Sequence, residues 1–147
     1  RDAVAGPVDP QVGQTRPEGM TMKAKIEKGR ALILVGPQAC GKTTLARKLA
    51  TALGSYQELD ARELDGPFIS ALEAAPVTCI VEGLPQGETA LARLKAMITE
   101  DETVVHRKHL APVRVRSPNF IFCTNEPERL KHLEGRRFNI VRMGEAA

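Results

Sequence analysis

The sequence predicts an α/β fold in three layers, with a mostly parallel five-stranded sheet and one inserted β-hairpin. Three observations predict it. Continuous apolar runs recur at residues 31–35 (ALILV), 77–81 (VTCIV) and 119–124 (NFIFCT), short enough for strands and apolar on both faces. Segments with apolar residues three and four positions apart lie between them, the spacing of amphipathic helices. The first run leads directly into GPQACGKTT, residues 36–44, a glycine-bearing turn that opens one of those helices.

The elements follow in order. Residues 1–25 carry Pro7, Pro10, Gly13, Pro17 and Gly19 with no hydrophobic period, and read as a flexible leader or an expression remnant, with Met20 and Met22 as candidate native starts. Residues 26–147 read as one domain. After the first strand, TTLARKLATALG sets Leu45, Leu49 and Leu53 on one helical face and stops at Gly54. SYQELD is a candidate second strand. ELDGPFISALEAAP reads as a short helix around Ile69 and Leu72, closed before Pro76. The next buried strand ends at Glu82, and GETALARLKAMITED reads as a helix with Leu91, Leu94 and Ile98 inward. Residues 104–117 (VVHRKHLAPVRVRS) read as two short strands around a turn. The third buried strand ends at Asn125, EPERLKHLEG reads as a short helix, and RRFNIVRM runs into a last strand.

The chain has 147 residues, with 42% hydrophobic and 27% charged residues, ordinary for one globular domain with one core. The formal net charge is only +3, so any nucleic-acid function must come from a local patch. No stretch reaches the ~20 apolar residues that span a bilayer, and no signal-peptide core is visible, so no membrane partner is expected. Cys40, Cys79 and Cys123 have no metal-ligand spacing; each falls in or beside an apolar segment and reads as a buried thiol in a reducing cytoplasm.

Residues 36–44 fit G-x-x-x-x-G-K-[ST] through Gly36, Gly41, Lys42 and Thr43. The glycines let backbone amides turn inward around phosphate oxygens, so Gly36, Pro37, Gln38, Ala39, Cys40, Gly41, Lys42, Thr43 and Thr44 are the expected nucleotide cradle. Lys42 supplies a point charge to the β- and γ-phosphates, and the Thr43 hydroxyl is the expected Mg²⁺ ligand. The strand–loop–helix context is the one this motif needs, and it makes the expected fold a P-loop NTPase. Glu82, at the tip of a buried strand, is the expected second metal ligand or the group that orients the attacking water. Many such ATPases carry two adjacent acids there. This chain has Val81 and Gly83 around Glu82, so Glu82 acts alone or Glu88 or Glu126 supplies the other carboxylate. Asn125 can hydrogen-bond a γ-phosphate and a lytic water, or serve as a turn residue before Pro127.

The ordered set of phosphate loop, strand-end acid, basic hairpin, strand-end Asn and paired arginines resembles the superfamily 3 helicases, AAA+-like (ASCE-type) ATPases of small DNA viruses, phages and plasmids. HRKHLAPVRVRSPNFIFCTNEP is most similar to the papillomavirus helicases and the phage or poxvirus primase-helicases, and GRRF to their closing arginine-arginine-hydrophobic segment. The resemblance covers residues 29–143. It implies a homo-oligomer, a hexameric ring, with ATP and Mg²⁺ between subunits. It also implies that Arg137, with Arg136 as second choice, reaches a neighbouring subunit's nucleotide. Arg107, Lys108 and His109 would then grip single-stranded DNA, the last two at the hairpin tip. By length, these 147 residues are expected not to hold the origin-binding or primase domain and helical collar that these helicases usually carry.

The expected function is ATP hydrolysis by a ring ATPase acting on single-stranded DNA, with Lys42, Glu82, Asn125 and an arginine as the catalytic set. The expected location is the cytoplasm, or the replication site of a host cell for a viral chain. Two other readings fit the loop: a non-hydrolysing nucleotide-dependent assembly scaffold, and a small-molecule P-loop kinase.

Overall fold

The computed structural model describes residues 25–133, 135 and 137–144. The expectation for residues 1–25 falls almost wholly outside these, as does Arg136. Seven strands and two α-helices are described: β1 (Ala31–Val35), α1 (Lys42–Leu53), β2 (Tyr56–Asp60), β3 (Thr78–Glu82), α2 (Glu88–Thr99), β4 (Glu102–Arg107), β5 (Leu110–Arg116), β6 (Asn119–Thr124) and β7 (Phe138–Arg142). Five of the strands form one sheet in the order β2-β3-β6-β1-β7. Every pairing in it is parallel, with Leu34 opposite Cys123 and Val141, and Glu82 opposite Cys123 and Asp60.

The period-two geometry of a strand sends neighbouring residues to opposite faces, and both faces are covered here. Leu32 and Leu34 of β1, Ile80, Ile121 and Val141 meet Leu45, Ala46, Leu49 and Ala50 of α1. Ala31, Ile33, Val35, Val81, Phe120 and Phe122 face the other way, onto Ala90, Leu94, Met97 and Ile98 of α2 and the base of the hairpin at Val105. Phe120 and Phe122 stack on that side with centroids 6.0 Å apart. This is the three-layer arrangement expected from the sequence, and burial of each such Leu or Phe stabilises it by roughly 1.5–3 kcal/mol.

One segment and one cysteine differ from expectation. The short helix around Ile69 and Leu72 is two 3₁₀ segments, Ala61–Asp65 and Ser70–Ala74. Gly66-Pro67 separates them, because Pro67 has no N–H for a continuing helix and disfavours helical backbone in the residue before it. The segment after Asn125 is the short helix expected, in 3₁₀ form over Pro127–Leu133. Cys79 and Cys123 are buried, as expected, whereas Cys40 is only half-buried on the loop.

The basic hairpin is present. β4 and β5 form a separate two-stranded antiparallel ribbon, with Arg107 opposite Leu110 and Lys108-His109 at the turn. His109 takes a left-handed conformation (φ 63) that closes so tight a turn. No described helix is long and apolar enough to cross a membrane.

Candidate functional site

The C-terminal ends of β1, β3 and β6 open on one side of the sheet, the side on which ligands bind in open α/β sheets. Backbone bonds tie these ends together. Gly36 donates to the Thr124 carbonyl at 3.1 Å, Gly83 to the Cys123 carbonyl at 2.8 Å, and Met143 to the Val35 carbonyl at 2.7 Å. Between them lies a cleft of ≈ 630 Å³, lined by residues 38–39 and 41–44 of the loop, Glu82 and Gly83 after β3, and residues 123–126 after β6.

The loop is shaped by backbone that few residues tolerate. Gly41 sits at φ 94 and caps α1 without any side-chain acceptor, and no acid lies in the first turn of α1. The first-turn amides of a 12-residue helix therefore point, uncapped by side chains, into the cleft, where they and the helix dipole favour an anion. Gly36 is fixed by crowding: a Cβ there would collide with the Met143 carbonyl and the Cys40 sulfur. Gly144 (φ 69) packs as closely on Cys40 from the other side. The segment just after β7 thus packs closely on the loop. In the sequence, Gly144 shows only as a lone glycine just past a strand.

Lys42 folds back over the loop, its Nζ donating to the Gly36 and Pro37 carbonyls at 2.8 Å each. A cation held by two neutral carbonyls, with the Cys40 sulfur at 3.9 Å, on a partly open loop can transfer to a stronger acceptor such as a phosphate oxygen. The Thr43 hydroxyl donates to Glu82 Oε2 at 3.0 Å, bridging 39 residues. Hydroxyl and carboxylate form a hard oxygen pair, the donor chemistry Mg²⁺ takes together with water and substrate phosphates, so the residues present fit that ion. Among the described residues no group of three or more His, Cys, Asp or Glu gathers as a dedicated metal cage.

Asn125 lies exposed on the cleft wall, one residue beyond buried Thr124, so Lys42, Thr43, Glu82 and Asn125 come together as the sequence suggested. Cys123 also lines the cleft. Burial pushes its thiol up to about 12, helped by the Glu82 carboxylate and opposed by Lys42 and Thr43. Glu126 joins the wall too, paired with Arg129 at 3.1 Å. Glu88, the other carboxylate considered, starts α2 and is not part of the lining.

Arg137 is elsewhere. It precedes β7, its carbonyl accepts from Ala31 N–H at the opening of β1, and its Nε donates to Thr99 Oγ1 at 3.0 Å. With five-residue strands rising ≈ 3.3 Å per residue, it stands roughly 13 Å or more from the loop, at the opposite end of the sheet. Arg107, expected to contact nucleic acid, turns its guanidinium onto the Ala111 carbonyl at 3.0 and 2.7 Å and so stiffens the hairpin. Lys108 and His109 are left as the exposed tip.

Fold and cleft together define a mixed α/β protein whose parallel sheet presents an anion-receptive loop at its C-terminal edge. Residues 34–139 match the model of a family of unknown function (DUF5906), and the chain belongs to that family. Solved structures of the C-terminal region of NrS-1 share the fold. The apo structure of its residues 305–718 is 22% identical with a TM-score of 0.63, covering 86% of this chain and 32% of that one. Two A-form apo structures are 23% and 21% identical, with TM-scores of 0.59 and 0.61, covering 85% and 92% of this chain. The chain spans 32–35% of the length of these structures.

Proposed function

We propose that the chain is an ATP-binding and ATP-hydrolysing domain on the P-loop NTPase plan, of the superfamily 3 helicase type, working as a ring on single-stranded DNA. The observation that carries this reading is the convergence of Lys42, Thr43 and Glu82 on one cleft at the uncapped start of α1. Lys42 and the loop amides would hold the triphosphate. Thr43 and Glu82 would hold Mg²⁺, which when bound neutralises phosphate charge. Asn125 would contact the γ-phosphate and the attacking water, and Arg137 would act on a neighbouring subunit's site. Its position far from its own cleft suits such a role in trans. The hairpin would supply the DNA contact through the Lys108 ammonium and the His109 imidazole, polar groups without stacking aromatics, which suits sequence-independent grip on phosphates. The fold shared with the NrS-1 C-terminal region is compatible with this plan.

The test measures ATP binding, phosphate release and particle size in the same samples, with and without single-stranded DNA, for the parent and Lys42→Ala. The expected result is ATP-dependent assembly, DNA-stimulated phosphate release and loss of ATP binding in the variant. Equal ATP affinity in the two proteins would sink the site.

One observation favours the non-hydrolysing scaffold as a second reading. β3 ends in a single acid, with Val81 buried before it and Gly83 at φ 90 after it, so that strand offers no second carboxylate. ATP-dependent assembly without phosphate release would select it.

A further inference from the structure

A carboxylate free of the metal can take the proton of the attacking water, and β3 does not supply a second one. Thr43 already engages Glu82 Oε2, which commits Glu82 to the metal side of the cleft. Among the described residues lining the cleft, the only other carboxylate is Glu126. It reaches the wall from β6, one residue past Asn125 and three past Cys123, whose position is registered with Glu82. Its backbone is held at both ends. Its N–H donates to the hydroxyl of buried Thr124 at 3.0 Å, and its carbonyl accepts from Arg129 N–H at 3.1 Å. Its Oε1 lies 3.1 Å from Arg129 Nε. The two side chains are 43% and 36% exposed, and an ion pair so open to water adds little to stability. The pair turns Oε1 toward Arg129 and leaves Oε2 as a second acceptor on a residue of the cleft wall.

We propose that Glu126 is the catalytic carboxylate that takes the proton of the attacking water, and that Arg129 is the residue that positions it. This rests on the ATP-hydrolysing reading above. In the step, one O–H bond of water breaks and its proton passes to Glu126. The water oxygen bonds to the γ-phosphorus, and the bond from that phosphorus to the β,γ-bridging oxygen breaks. The bond's electron pair stays on the departing ADP. Inorganic phosphate leaves, and Glu126 returns its proton to solvent. The arrangement explains how β3 can end in one acid: the second carboxylate comes from the neighbouring strand.

The experiment measures phosphate release by the full chain with ATP, Mg²⁺ and single-stranded DNA, and binding of a slowly hydrolysed ATP analogue, in five variants. Glu126→Gln should lower kcat by about 100-fold or more, the contribution of a general base, with KM and analogue affinity within about twofold of the parent. Glu126→Asp, which keeps the charge but shortens the reach, should fall between. Arg129→Ala should lower kcat roughly tenfold, and Arg129→Lys should restore most of it, since a cation of similar reach is back. Glu126→Gln/Arg129→Ala should be no slower than Glu126→Gln alone, because a positioning residue has nothing left to position. Turnover of Glu126→Gln within about threefold of the parent overturns the inference, given that a general base contributes far more. Additive losses in the double variant overturn the role of Arg129. A parent that binds nucleotide but releases no phosphate overturns the inference and leaves nucleotide binding intact, whereas a parent that binds no nucleotide overturns the reading beneath it.

Discussion

The Thr43 hydroxyl meets Glu82 Oε2 at 3.0 Å, joining the first turn of α1 to the tip of β3. Glu82→Gln keeps an acceptor for Thr43 but removes the charge. Phosphate release should therefore fall by about 10²-fold or more while ATP affinity changes little, because the loss is felt where charge develops. Asn125→Ala should behave in the same direction. Steady-state phosphate release beside equilibrium ATP titration checks both. A variant whose ATP affinity falls as far as its turnover would place Glu82 in ground-state binding instead.

Local chemistry made this much legible in advance. The loop could be read because its glycines and Lys42 have fixed spacing and sit between a buried run and a helical period. The hairpin was visible as alternation around Lys108-His109. Long-range pairing was not legible. Nothing in the sequence says that β6 lies between β1 and β3, which is what brings Asn125 and Glu126 to the wall opposite Thr43. Nor does it say that Gly144 packs on Cys40, or that Arg137 rests on Thr99. The helical spacing around Ile69 does not become one helix because Gly66-Pro67 interrupts it.

Arg137 should act across a subunit boundary. It is exposed, is held by Thr99 at 3.0 Å and stands at the far end of the sheet from its own cleft. Arg137→Ala subunits keep an intact loop, and Lys42→Ala subunits keep the arginine. Mixing the two inactive variants should restore part of the phosphate release, since some mixed interfaces combine a good loop with a good arginine. Mixtures that co-assemble by light scattering yet stay inactive would remove Arg137 from the site.

The buried thiols set an alkaline limit. Burial pushes Cys79 and Cys123 up to about 12 from an ordinary 9.0. The folded state therefore keeps these protons where the unfolded chain releases them. Their contribution to stability is fully present below about pH 9 and is lost as pH rises toward about 12. Denaturant midpoints should fall across that window, and Cys79→Ala should show a flatter decline even if it is less stable overall. An unchanged slope in that variant would detach the alkaline loss from Cys79. At pH 8 both thiols should resist alkylation in the native protein and react once it is unfolded.

The hairpin should bind nucleic acid through its tip. Arg107 is occupied by the Ala111 carbonyl, and Arg114 lies 3.8 Å from Glu102, so the exposed side chains at the turn are the Lys108 ammonium and the His109 imidazole. An edge ribbon can also carry cations simply to avoid pairing with other chains, and that reading predicts no DNA affinity at these positions. Lys108→Ala should weaken single-stranded DNA binding while ATP affinity stays at the parent value, because the ribbon is separate from the five-stranded sheet. Each phosphate contact removed should flatten the slope of log affinity against log salt by about 0.7 for a single strand. His109 holds φ 63, so His109→Gly removes the side chain without straining the turn and serves as the cleaner partner to His109→Ala. If the tip grips the backbone, Lys108→Ala/His109→Gly loses affinity for all single-stranded sequences alike and the hairpin stays folded. Unaltered affinity and salt slope in that double variant would leave the tip as a solvated edge and move the DNA contact to another part of the chain.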